Sequence, residues 1–378
     1  MIAADRDPAA LGFVYADRRA IVSAEDEPGI ERLADAERVD GIVAPGIDWP
    51  VAVAARVAER LGLPHPIDGA AALLATSKLR QRERFREAGV PQPAWELCRS
   101  VDEAREATGR IGLPVVVKAP DRQGQRGLGL VRREEELEPA ATEALEAARS
   151  PIAIVERYDP GREVTVNAFL SGGRFHPLTI TDRLVAEPPA FGVALAHVWP
   201  SSLEPPVVGA ACDAARAAAE ALGIAEGPVY VQVLAGANGP EVIELAARLG
   251  GGHDAELCRA ALGVDLNALA LAAALGEEVP ERALTPVSRA GGACVRFLVP
   301  PPGPLEEVQG VESAQALPGI ELVRVYRRPG FVFGPFRRGA DRAGAVLAVG
   351  ASREEALERA AAAVESIRFQ VADAPERV

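Results

Sequence analysis

The chain has 378 residues, 48% of them hydrophobic and 25% charged, enough for two or three folded domains with real cores. Its net charge of −13 argues against nucleic acid or an anionic membrane as the main partner. Cys98, Cys212, Cys258 and Cys294 are scattered with no C-x-x-C pair, which excludes a disulfide framework and a zinc site and points to reduced, cytoplasmic thiols.

Taken in chain order, residues 1–75 alternate short apolar runs with helical stretches. Strands are expected over 2–4, 20–22 and 41–44, and helices over 27–36 and 48–61, the second closed by Gly62 and Pro64. That alternation predicts a parallel α/β unit. A further helix opens at Thr76-Ser77 and closes at Gly89. Residues 115–118 form a buried-type strand, followed by a glycine-rich loop and a return strand over 128–132. Strands over 152–156 and 163–170 come next, then an alanine-rich helix over 207–222. Residues 229–234 and 241–245 read as a hairpin around Asn238-Gly239, and 257–275 as one helix. A last region of strands, from about 292 to 350, precedes a helix that starts at the capping box Ser352-x-x-Glu355 and runs to about 367. No signal peptide and no uninterrupted apolar run of membrane-spanning length is legible, so no membrane partner is expected.

Of 41 basic residues only two, Lys78 and Lys118, are lysine. A bias that replaced lysine by arginine elsewhere spared these two positions, by chance or because a crowded phosphate pocket prefers a slim point charge. Lys118 ends its strand just before the loop containing Gly124, Gly127 and Gly129. That loop matches neither the P-loop nor the dinucleotide pattern, yet it can fold over phosphates and offer backbone N–H groups. Glu156 and Glu163 flank a Pro-Gly turn, where they could bind an adenine amino group and ribose hydroxyls. Pairing centred on Asn238 puts Gln232 opposite Glu244, oxygen donors suited to Mg²⁺ shared with phosphates. Arg248 and the run Gly250-Gly251-Gly252-His253 follow. Each segment by itself also fits a plain hairpin, a solvated turn or a surface Gln–Glu pair.

Together and in this order, the four segments resemble the ATP-grasp superfamily, most closely its carboxylate–amine ligases of the L-amino-acid ligase type. They are Ser77-Lys78-Leu79-Arg80 with the stretch to Pro93, the strand ending at Lys118 with its loop, Glu156 to Glu163, and Gln232 with Glu244 to His253. The resemblance implies a mixed α/β and α+β architecture: a pre-ATP-grasp domain over 1–75, an ATP-grasp domain over 76–285 and a C-terminal α+β domain over 286–378. Within the grasp domain, a small lobe is expected at about 110–185 and a large lobe at about 186–285. The family's usual first strand has no counterpart before Ile2, which implies a late start site or a covered sheet edge.

The resemblance also implies roles. Lys78 and Lys118 would contact ATP phosphates under a flap of Gly124 to Gly129. Glu156 and the Arg157–Tyr158 backbone would hold adenine, and Glu163 the ribose. Gln232 and Glu244 would hold Mg²⁺ (or Mn²⁺), with Ala246 where many members carry an asparagine ligand. Arg248 would act with Lys118 in catalysis and meet the substrate carboxylate, with Gly251, Gly252 and His253 near the substrate. The expected reaction joins a small-molecule carboxylate, such as an amino acid, to an amine through an acyl phosphate. Bicarbonate phosphorylation of the carbamoyl-phosphate-synthase or biotin-carboxylase kind, and a catalytically weak ATP-binding protein, stay open as alternatives. A homodimer is a candidate assembly.

Overall fold

A computed structural model describes residues 1–122 and 124–372. At the N-terminus, strands Ile2–Asp5 and Arg18–Ile21 pair in parallel, with Ile2 opposite Arg18. Helices Glu27–Glu37 and Asp48–Leu61 pack through Ala34, Val53 and Val57. The strand expected over 41–44 does not form. A Cβ at Gly41 would overlap the Ala274 carbonyl, so this segment lies against the end of a later helix instead of joining a ladder.

Helix Lys78–Ala88 starts at an N-cap Ser77 and ends at Gly89, whose φ of 70° supplies the left-handed cap. The smaller sheet has the strand order Trp95–Cys98, Ala153–Arg157, Val115–Lys118, Leu128–Val131, all antiparallel. Helices Val101–Ile111 and Leu137–Ala147 cover one face through Ala104, Ala107, Leu137, Ala141 and Ala144. This lobe thus runs from Trp95 to Arg157, and the chain enters the larger sheet at Arg162.

That larger sheet has eight antiparallel strands. Their order is Gly239–Ala246, Gly227–Gly236, Arg162–Ser171, Arg174–Val185, Ala194–Trp199, Gly292–Leu298, Gly344–Gly350 and Ile320–Val325. Strands from the last part of the chain therefore extend the sheet begun by the middle part. Helix Pro205–Ala221 presents Ala211, Ala214, Ala215, Ala218 and Ala219 to the sheet, and these short side chains allow close approach.

The single helix expected over 257–275 is two, Asp254–Leu262 and Leu266–Ala274. Gly263 caps the first at φ 73°, and Asp265 accepts the Ala268 N–H at 3.1 Å to start the second. Among the described residues no single helix is long and apolar enough to cross a membrane. All four cysteines are free; burial pushes the Cys258 and Cys294 thiols up to about 12, which leaves them unreactive.

Candidate active site

A cavity of about 1030 Å³ opens between the smaller and larger sheets. Both lysines line it. Lys78 is the first residue of its helix; its Nζ donates to the Arg122 carbonyl at 2.9 Å and lies 3.2 Å from Glu244 Oε2. The end of its strand carries Lys118 to a buried position with Nζ 2.8 Å from Glu156 Oε2.

Glu156 is the centre of a buried triad. Arg82, one helical turn after Lys78, approaches Glu156 Oε1 with Nε at 2.6 Å and Oε2 with Nη2 at 3.2 Å. Arg82 also donates to the Val242 and Ile243 carbonyls, each at 2.8 Å, which ties the smaller lobe to the large sheet. Burial would raise the Glu156 pKa, but the charges of Arg82 and Lys118 outweigh it and hold the carboxyl down at about 2. Burial pushes Lys118 down to about 8 despite Glu156, with Arg82 and Lys78 adding to the effect. With three donors already on its oxygens, Glu156 keeps about one lone pair for a further partner.

At the next two residues the backbone donors are already used. Arg157 N–H bonds to the Ala94 carbonyl and Tyr158 N–H to that of Pro114, at 2.9 and 3.1 Å. Only carbonyl acceptors remain there for a nucleotide. The Arg157 side chain pairs with Glu241 at 2.6 Å, and Tyr158 stands edge-on to Phe191. Glu163 accepts from Arg183 Nη1 at 2.6 Å and from Gln232 Nε2 at 2.8 Å. Gln232 lies opposite Glu244 in the hairpin as expected, though not by pairing centred on Asn238: the turn pairs Gly236 with Gly239, and a register shift between Gln232 and Val233 restores the pair.

The glycines divide by purpose. Gly124, at φ 67° with open space around it, lines the cavity. Gly127 and Gly129 are not among the lining residues; a Cβ at Gly127 would sit 2.7 Å from Ala147 Cβ, and one at Gly129 3.0 Å from Ala140 Cβ. Both are needed where the loop and strand press on helix Leu137–Ala147. Gln123, just before the expected flap in the glycine-rich loop, lies outside the described residues.

Arg248 lines the cavity with its Nε on Asp48 and its Nη1 on the Leu249 carbonyl at 2.8 Å. Gly251 and Gly252 line it too, but His253 does not. At φ 59° His253 turns its ring away, with Nε2 2.5 Å from the Tyr326 hydroxyl. The histidine that faces the cavity is His197. Its Nδ1 is 2.8 Å from Asp254 Oδ1, and Asp254 is fully buried, accepting also from Asn167 and from Gly252 N–H. Burial alone would raise the Asp254 pKa; His197 and the other donors hold it at about 2.

Sequence reasoning missed Arg82, Asp48, Arg183, His197 and Asp254. Arg82 carried a signal, four residues after Lys78 and so on the same helical face. The others come from distant segments that only the fold brings together.

Among the described residues no three His, Cys, Asp or Glu side chains converge as a metal cage. Glu244 faces the cavity, and Lys78, Lys118 and Arg248 outweigh burial to keep it ionised. One carboxylate beside two lysines in a cavity fits Mg²⁺ when a phosphate is brought in, since Mg²⁺ takes one or two carboxylates and completes its shell with phosphates and water.

Comparison with known proteins agrees with this geometry. Residues 78–167 match the carbamoyl-phosphate synthase L chain, ATP binding domain, and residues 296–372 match the L-amino acid ligase C-terminal domain 2. A formate-dependent phosphoribosylglycinamide formyltransferase of Burkholderia pseudomallei is 29% identical over 97% of this chain and 89% of its own. The L-amino acid ligase of Bacillus licheniformis shares the fold at a TM-score of 0.82, with 20% identity over 94% of this chain and 88% of that one. The biotin carboxylase domain of Hydrogenobacter thermophilus 2-oxoglutarate carboxylase, solved with MgADP and bicarbonate, gives a TM-score of 0.78 at 20% identity, covering 98% and 84%. Both matched segments lie along one sheet-and-cavity framework, and over nearly its whole length the chain is similar to ATP-grasp enzymes, whose fold it shares.

Proposed function

We propose that this protein joins a carboxylic acid to an amine at the expense of ATP, through an acyl phosphate. The observation that carries this reading is the convergence of Lys78, Lys118 and Glu244 on one cavity, with the Gly124 loop beside them. Lys78 and Lys118 hold the phosphates. Glu156 fixes Lys118 and offers its remaining lone pair to the adenine amino group, beside the Arg157 and Tyr158 carbonyls. Glu163, steadied by Arg183 and Gln232, meets the ribose.

Glu244 and the Gln232 side-chain oxygen would hold Mg²⁺, which would supply charge neutralisation for phosphoryl transfer. Ala246 has no side-chain donor to add to such a site. Arg248 orients the carboxylate in line with the phosphoryl group, and Asp48 keeps the guanidinium in position. The substrate carboxylate attacks the γ-phosphorus, ADP leaves, and the amine then displaces phosphate from the acyl carbon. No covalent bond to the protein is required.

By this reading, 1–75, 76–285 and 286–378 act as pre-grasp, grasp and C-terminal domains, and amino acids are the first acids to try. The test is ADP release across pairs of amino acids, with bicarbonate alone as a comparison. Release that needs both an acid and an amine supports the ligase. Release driven by bicarbonate without an amine contradicts it.

A further inference from the structure

The last part of the chain holds the ring that His253 turns out of the cavity. Its Nε2 lies 2.5 Å from the Tyr326 hydroxyl, and the two rings stack 6.0 Å apart at 24°. Its Nδ1 faces Glu256 Oε2 at 3.7 Å. Tyr326 directly follows the edge strand Ile320–Val325, and its own N–H donates to the Ala343 carbonyl at 2.7 Å. Neither ring lines the cavity. His253 is also the N-cap of helix Asp254–Leu262, yet its side chain makes no capping bond there. A non-glycine residue keeps a left-handed φ, here 59°, where its surroundings over-determine it, and Tyr326 with Glu256 supply that hold from outside the cavity.

The residues on either side of His253 belong to the cavity wall. Gly252 lines the cavity, and its N–H donates to Asp254 Oδ2 at 3.1 Å, while Asp254 Oδ1 is 2.8 Å from Nδ1 of the cavity-facing His197. A Cβ on Gly252 would lie 2.6 Å from His197 Cε1, and one on Gly250 2.7 Å from Tyr230 Cδ2. In a corner packed this closely, a shift of the backbone at His253 is passed on to Gly252 and to the Asp254–His197 pair. Arg248 joins the same corner from its other end, with Nη1 on the carbonyl of Leu249, the residue before Gly250.

We infer that Tyr326 is a positioning residue: its hydroxyl, acting through His253, fixes the corner that carries Gly251, Gly252 and the Asp254–His197 pair on the acid side of the cavity. That side is named from Arg248, so this part rests on the ligase reading above. His253 thus serves the site without touching substrate.

The experiment compares the intact protein with Tyr326→Phe, His253→Asn and the double variant. Tyr326→Phe keeps the ring and removes only the hydroxyl. His253→Asn accepts a left-handed φ but is too short to keep the bond to Tyr326. The chain has four histidines, so nitrogen-15 labelling of histidine gives few enough ring signals to follow by NMR without any substrate. Tyr326→Phe should move the signals of His253 and also those of His197. A His197 signal that stays in place overturns the proposal. In ADP release with the acid and amine panel, Tyr326→Phe should lower kcat/KM for the acid by tenfold or more, with ADP affinity and melting temperature kept. The double variant should lose no more than either single one, because both break the same contact. Additive losses overturn the proposal, as does a defect confined to ADP affinity or to melting temperature. Absence of acid- and amine-dependent release overturns the ligase reading instead, and the histidine signals then decide the role of Tyr326 by themselves.

Discussion

Gln232 faces Glu244 because Ile243 is an extra residue in its strand. The hairpin begins with Gly236 opposite Gly239 and keeps that register through Val233 opposite Val242. Without the bulge, Gln232 would meet Ile243, and Glu244 would turn to the other face. The bulge thus aims a carboxylate into the cavity, as bulges beside active sites do.

Glu244→Gln removes the carboxylate proposed to hold Mg²⁺ and leaves Lys78 without its partner. The expected result is a fall in kcat of about 10²–10³, the size seen when one electrostatic contact is lost from an active site. A Mg²⁺ titration of ADP release should show the midpoint moved to higher concentration. An unchanged midpoint would place the metal elsewhere.

Glu156→Gln leaves Arg82 and Lys118 buried without a counter-charge. Breaking a buried pair from one side costs about 3–5 kcal/mol. Denaturant unfolding should show a lower midpoint with an unchanged slope. Replacing Arg82 by methionine should cost less, because Glu156 keeps Lys118 as its counter-charge.

Lys118 gives the site a pH signature. Its pKa in the folded protein is about 8, below the ordinary lysine value of 10.5. Between those two values the unfolded chain holds the proton more tightly. Its contribution to stability therefore rises with pH from about 8 to 10.5 and is flat below. Phosphate binding needs the charged form, so affinity for ADP should fall as pH rises through 8. Lys118→Met should flatten both curves, as read by thermal unfolding and by ADP titration between pH 7 and 10.

Gly127→Ala and Gly124→Ala should separate packing from ligand contact. At Gly127, φ is 64° and the new Cβ would lie 2.7 Å from Ala147 Cβ, so stability should drop by about 1–3 kcal/mol. Gly124 has open space, so the change there costs only the strain of its positive φ. Its effect should be seen more in nucleotide affinity than in melting temperature. Equal losses of stability at both positions would contradict the distinction.

Much of this site was legible because its parts are local in sequence. Strand 115–118 and the helix entered at Lys78 follow from a short apolar run and a cap, whereas the Gln232–Glu244 pair depends on a bulge that the turn residues do not announce. Residues 41–44 misled because four apolar residues in a row fit a strand as well as a segment pressed on a helix end; periodicity alone does not separate them. The break at Gly263-Val264-Asp265 was written as a C-cap followed by an N-cap, but the apolar run on both sides masked it. Of the two histidines, His253 follows the glycines in sequence, which is the one cue that a pattern offers. His197 carries no such cue, since its partner Asp254 and its neighbour Phe297 are 57 and 100 residues away in the chain. Sequence pattern finds elements, whereas the pairing of distant buried charges depends on strand order.

The account depends most on Lys118 as a phosphate-binding cation in an acid- and amine-dependent reaction. The most direct measurement is ADP release by the intact protein and by Lys118→Ala, across acid and amine pairs, alongside ADP affinity for both proteins. The account predicts release that requires both substrates in the intact protein, and loss of nucleotide affinity and turnover in the variant. Normal ADP affinity and rate in a folded Lys118→Ala protein would contradict it.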